Sequence, residues 1–121
     1  MIRLQSAEEA DVPMAKIVRY LLNPSHRSGK SKARFFLSHG FTADQWQRLA
    51  AALRDHAKDN EITKREPTPL GERVVVEGPM HLADGVVASV RVIWFVESGE
   101  RTPRLATAYP IKGKQHDDQR T

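Results

Sequence analysis

Between Asn23 and Phe36 the chain reads Asn-Pro-Ser-His-Arg-Ser-Gly-Lys-Ser-Lys-Ala-Arg-Phe-Phe, which gathers His26, Arg27, Lys30, Lys32 and Arg34 into one short stretch. These are the residue types for metal-independent cleavage of RNA. That reaction needs a base for the 2′-OH proton, an acid for the departing 5′-oxygen, and cations for the extra negative charge on the phosphorane. Histidine suits the proton steps because it titrates near neutrality; lysine and arginine suit the charge step. His26 is therefore expected to act as base or acid, Lys32 to stabilise the transition state, and Arg27, Lys30 and Arg34 to bind phosphate. Pro24 disfavours helix geometry at Asn23. Ser28-Gly29 then opens a new helix, whose first N–H groups and positive dipole end favour a phosphate.

Three residues far along the chain complete the expected site. Arg91 is the one charge inside the long apolar run Val86–Glu97, and a charge there is costly unless paired or met by a ligand. In the closing strand, alternation puts Leu105, Thr107 and Tyr109 on one face and Arg104, Ala106 and Ala108 on the other. Thr107 and Tyr109 are expected to orient a phosphate or supply the second proton step, with Arg91 as a further phosphate ligand. Other motifs carry less. Gly29-Lys30-Ser31 resembles the end of a P-loop, but the required earlier glycine is Pro24. His39 reads as a dipole contact at a helix C-terminus, His56 as a solvent-edge residue of a helix, His81 as a surface residue and His116 as part of the tail. No two histidines share a ligand spacing with a carboxylate, so neither a metal nor another cofactor is expected.

The elements that must position these groups follow from periodicity. Met14, Ile17, Val18, Leu21 and Leu22 recur at helical spacing after Pro13. A second helix spans Lys30 to Ser38 and stops at Gly40. A third follows the Thr42/Gln45 capping box, with Trp46, Leu49, Ala50 and Leu53 on its apolar face. From Asn60 the period becomes two. Strands are expected at 73–78, 86–97 and 104–109, with 61–66 open as a short fourth and the run 80–83 leading into the Asp84-Gly85 hairpin turn. Helices first and a three- to four-stranded antiparallel meander second make an α+β domain over residues 13–110. It is flanked by a polar segment 1–12, free to be partly mobile, and a polar tail 111–121. The run Val86–Glu97 is apolar on both faces, with Trp94 in the core, and so belongs at the sheet centre.

Composition bounds the partners. The 121 residues suit one domain. Nineteen Lys/Arg against fifteen Asp/Glu give a net charge of +4, and the cations are segregated. Lys16, Arg19, Arg27, Lys30, Lys32 and Arg34 occur in residues 16–34 without one acid. That favours a polyanion such as RNA. No cysteine is present, which excludes disulfides and thiolate chemistry. No apolar run approaches the roughly 18 residues that cross a bilayer, and no signal-peptide core is seen, so a cytoplasmic protein without a membrane partner is expected.

With these residues in hand, the chain resembles a bacterial domain family marked by three words. They are YLLNP-x-H-x-x-G-x-SKA-x-FF, VEGP and W-x-VE-x-G-x-x-x-P-R-L-x-TAYP, matched here over Tyr20–Phe36, Val76–Pro79 and Trp94–Pro110. It is similar in turn to ribonuclease toxin domains of the barnase/EndoU/colicin type. The resemblance implies helices packed on an antiparallel sheet, a toxin of a toxin–antitoxin or related conflict system, transfer or messenger RNA as substrate, and a small antitoxin or immunity partner. Within it, His26 and Lys32 fall on the opening word and Thr107 and Tyr109 on the closing one. Two other readings stay open: a nucleic-acid-binding module without catalysis, and a protein-interaction or immunity partner domain.

Overall fold

The computed structural model describes residues 2–111. The expected tail, with His116, lies outside them except for Ile111. Three helices precede a four-stranded antiparallel sheet in the order β1-β2-β3-β4. The first, α1, starts after extended Pro13 as an α-helical turn, Met14–Lys16, and widens into a π-helical stretch, Ile17–Leu21. The widening is closed by the Leu22 N–H donating to the Ile17 carbonyl at 2.8 Å. It brings Ile17, Leu21 and Leu22 into the core together, while Met14, expected on the same face, is 54% exposed. Helix α2, Lys30–Ser38, ends as its sequence requires. The Phe41 and Gly40 N–H groups return to Phe36 and Leu37, with Gly40 at φ 95°, the bonding of a Schellman cap.

Helix α3 spans Trp46–Asp59. The Gln45 N–H reaches the Thr42 hydroxyl at 3.3 Å, which is half of the expected capping box. The strands are β1, Ile62–Thr68; β2, Gly71–His81; β3, Val87–Glu97; and β4, Arg104–Pro110. The two short runs expected at 73–78 and 80–83 are thus largely one strand, continuous through Gly78-Pro79. Strand β3 lies between β2 and β4, as its two apolar faces predict. One sheet face packs on the helices around Trp94, Val92, Val76, Leu105, Phe36, Leu49 and Leu53. The other face is covered by the long side chains of Lys64, Arg73, Glu77 and Arg91 over Val75 and Ile93.

Three expectations are corrected here. Residues 2–12 are built into the core, because Leu4, Ala7, Ala10 and Val12 are buried. Asp11 also bridges β4 through the Pro103 carbonyl and the Leu105 N–H. Second, β4 does not alternate regularly. The register runs Val92↔Ala108, Ile93↔Thr107 and then Trp94↔Leu105, so Ala106 is an extra, bulged residue and Leu105 turns to the core. Third, His56 is not at the solvent edge. It is 1% exposed, and its Nε2–H donates to the Val90 carbonyl at 2.9 Å and the Gly78 carbonyl at 3.2 Å. Asn60 adds a bond to the Pro79 carbonyl at 3.0 Å, so the C-terminal turn of α3 is fastened to β2 and β3.

Burial pushes the His56 ring below its ordinary range, although the Val90 and Gly78 carbonyls and the Asp59 charge oppose the shift. The folded state therefore refuses a proton that the unfolded chain accepts near pH 6.5. This contribution is complete above about pH 6.5 and is lost as the pH falls below it. The urea midpoint should drop between about pH 7.5 and pH 5, and His56→Gln should drop less. Parallel pH curves for the two proteins would contradict this.

Candidate functional site

Tyr20 stands where α1, α2 and β4 meet. Lys32 Nζ donates to its phenol oxygen at 2.5 Å, and the Thr107 hydroxyl is 2.9 Å away on the other side. The ring lies flat against the start of α2, where a Cβ on Gly29 would come within 2.9 Å of it. Glycine is therefore required there for packing. The His26 ring meets the Tyr20 ring edge-on at 4.9 Å. Burial alone would push the phenol up. The hydrogen bonds from Lys32 and Thr107 and the ammonium charges of Lys32 and Lys16 outweigh it, leaving Tyr20 below the usual phenol range.

Lys32 is shared between two phenols. Its Nζ is 5.0 Å from the centre of the Tyr20 ring and 5.6 Å from that of Tyr109, distances at which an ammonium is attracted by an aromatic face. Tyr109 is paired across the ladder with Arg91, whose Nη1 donates to the Tyr109 oxygen at 3.2 Å. That leaves the phenolic O–H of Tyr109 to donate elsewhere. Arg91 also pairs with Glu77, Nε to Oε2 at 2.5 Å, which answers the cost of a charge on the central strand. Both side chains are partly exposed, and such pairs are worth about 0–1 kcal/mol. A phosphate can therefore compete for the guanidinium.

His26, Lys32, Arg91, Thr107 and Tyr109 are thus brought into one neighbourhood. His26 is constrained within it. Its Nδ1 accepts the N–H groups of Ser28 and Gly29, each at 3.1 Å, so the neutral ring carries its hydrogen on Nε2. The imidazole caps the entry to α2 and takes two N–H groups that would otherwise be open to an anion. Arg27, Lys30 and Arg34 are exposed around this entry. His39 binds Asp84 at 2.9 Å and ties the end of α2 to the β2–β3 hairpin, a contact beyond the dipole role expected of it. Among the described residues no group of three or more His, Asp or Glu side chains is placed to hold a metal ion.

Tyr20 and Glu77 were not anticipated as site residues. Tyr20 offered one signal: it is a phenol off the apolar stripe of its helix, at the head of the first family word. Glu77 sits in the second word but acquires meaning only from its place opposite Arg91 in the ladder. Tyr109 divides two depressions. One, of about 360 Å³, lies on the charged sheet face with Arg73, Glu77 and Arg91. The other, of about 690 Å³, runs between α2 and the ends of β3 and β4.

The family model for the domain of unknown function DUF6883 matches residues 3–112, and the chain belongs to that family. Among curated proteins nothing matches. Among solved structures, the chain is similar to one in a contact-dependent growth inhibition toxin–immunity protein complex from Klebsiella pneumoniae 342. The TM-score is 0.68 at 17% identity, over 84% of this chain and 100% of that one. At that identity the likeness is one of fold.

The electrostatics of Tyr20 can be tested directly. Lys32→Met removes both the hydrogen bond and the nearer ammonium, so the phenol's titration should move up. Phenolate absorbance across a pH series measures the direction of this shift, with Tyr20→Phe assigning the signal between the two tyrosines. An unmoved titration would show that Lys32 does not hold the phenol.

Proposed function

We propose that this DUF6883 domain is a metal-independent endoribonuclease, the toxin of a toxin–antitoxin or related conflict system, acting on transfer or messenger RNA in the cytoplasm. A small immunity or antitoxin protein would mask its basic site. The observation that carries this reading is the single cluster of Tyr20, Lys32 and Thr107 with Tyr109 and Arg91. It sets two phenols on either side of one ammonium group. The toxin–immunity complex from Klebsiella supports the biological context through its fold.

The chemistry divides among these groups. The Tyr20 oxygen, ionised at lower pH than an ordinary phenol, takes the 2′-OH proton as the 2′-oxygen bonds to phosphorus. Lys32 and Arg91 hold the charge that builds on the phosphorane oxygens. Tyr109 gives its proton to the 5′-oxygen as the P–O5′ bond breaks, and ends ionised beside Arg91. The products are a 2′,3′-cyclic phosphate and a 5′-hydroxyl. The proton gained by Tyr20 returns to Tyr109 through Lys32 or solvent, which restores the starting state. Thr107 orients Tyr20. His26 sets the α2 entry and presents Nε2–H, while Arg27, Lys30 and Arg34 hold flanking phosphates.

One observation favours a second reading, an RNA-binding module without catalysis. Among the described residues the one imidazole at the cluster, His26, has its Nδ1 engaged by two backbone N–H groups.

In EDTA, the protein should cleave RNA to fragments with 2′,3′-cyclic phosphate ends. Tyr20→Phe and Tyr109→Phe should each slow cleavage by about 10²-fold or more, with RNA affinity within a few-fold. Below the Tyr20 titration the wild-type rate should climb about tenfold per pH unit. RNA bound but left intact by wild-type protein would establish the second reading. If RNA is neither bound nor cut at low salt, both readings fail and a protein-interaction domain remains.

A further inference from the structure

The larger depression has a composition that the cleavage chemistry leaves unused. Phe35 of α2, Ala88 and Ser89 of β3, Tyr109 and Pro110 of β4, and Ile111 line it. The volume of about 690 Å³ is that of a small-ligand cleft. Among the described residues no acidic side chain lines it. Lys32 stands on its rim, the same ammonium that lies between Tyr20 and Tyr109, and Arg91 reaches the far side of Tyr109. Ser31 of α2 and Ser89 of β3 add one serine from each layer to a mostly apolar lining.

We infer that this groove is a nucleobase subsite, which receives a base adjoining the scissile bond while Lys32 and Arg91 hold its phosphate. The inference rests on the ribonuclease reading and adds where and how the substrate is gripped. Charge decides the class of occupant: a slot that is mostly apolar and whose described lining carries a lysine and no carboxylate suits a ligand that joins a flat apolar body to an anion. A nucleotide has both parts in fixed relation. Every base has a π-face to set against Phe35 or Tyr109, and stacking of this kind tolerates sequence. The two lining serines offer hydroxyl donors and acceptors to base edges, so they would set whatever base preference the cleavage has.

Binding tests this apart from cleavage. Full-length protein is titrated by calorimetry with the four nucleoside 3′-monophosphates and, separately, with inorganic phosphate. At least one nucleotide should bind roughly tenfold or more tightly than phosphate, the increment that one stacked base supplies. Amide shifts in wild-type protein should localise to Ser31, Phe35, Ser89 and Tyr109. Ser31→Trp, an exposed position on α2, should fill the slot and erase the base-dependent increment while phosphate still binds. Equal affinity for nucleotides and phosphate, or shifts that avoid the groove, would overturn the subsite. Base-dependent binding without RNA cleavage would keep the subsite and remove the ribonuclease reading.

Discussion

Strand β4 has to serve two surfaces at once, and the bulge at Ala106 is what lets it. In a regular strand, residues an odd number apart face opposite sides, so Leu105 and Ala108 could not both enter the core. The extra residue changes the parity. Leu105 sits opposite Trp94 and Ala108 opposite Val92, both against the helices, while Thr107 and Tyr109 remain opposite Ile93 and Arg91. A slip of one residue in either direction would bury a hydroxyl or expose the core. Since β4 is an edge strand, a hydroxyl placed there can be met from the helical layer. Tyr20 meets it.

That meeting makes the site one unit. The Tyr20–Thr107 bond spans 87 residues of sequence, and Lys32 closes it from α2. Two effects compete at the phenol: burial resists its ionisation, and two ammonium groups with two hydrogen bonds favour it. The second set wins. The packing around it is equally specific. Gly29 has no side chain because the Tyr20 ring occupies that space. His26 stacks edge-on to the same ring while its Nδ1 fixes the loop backbone. The imidazole therefore contributes by shaping the loop that presents Lys32.

The remainder of the molecule holds this corner still. His56 and Asn60 fasten α3 to the two central strands through the carbonyls of Gly78, Pro79 and Val90. Asp11 fastens the N-terminal segment to β4 from the other direction. The β2–β3 hairpin is tied to the end of α2 by His39 and Asp84, and α2 carries Lys32. Each tie is modest, but together they fix the helical layer against the sheet edge from both ends.

Local periodicity was enough to recover much of this. The boundaries of α2, the apolar face of α3, the Asp84-Gly85 turn and the central place of β3 all follow from patterns within about a dozen residues. The basic residues of the candidate site stood out in the sequence because lysine, arginine and histidine are conspicuous where acids are missing. The π-helical widening of α1, the burial of His56, the role of residues 2–12 and the parity change in β4 were not. Each depends on what a distant segment offers: a carbonyl of β3 for His56, a β4 ladder position for Asp11, a β4 hydroxyl for Tyr20. Residue types and spacing determined which side chains were available for chemistry. Tertiary packing decided which of them meet, because hydrogen bonds and charge act over a few ångströms of space and take no account of separation along the chain.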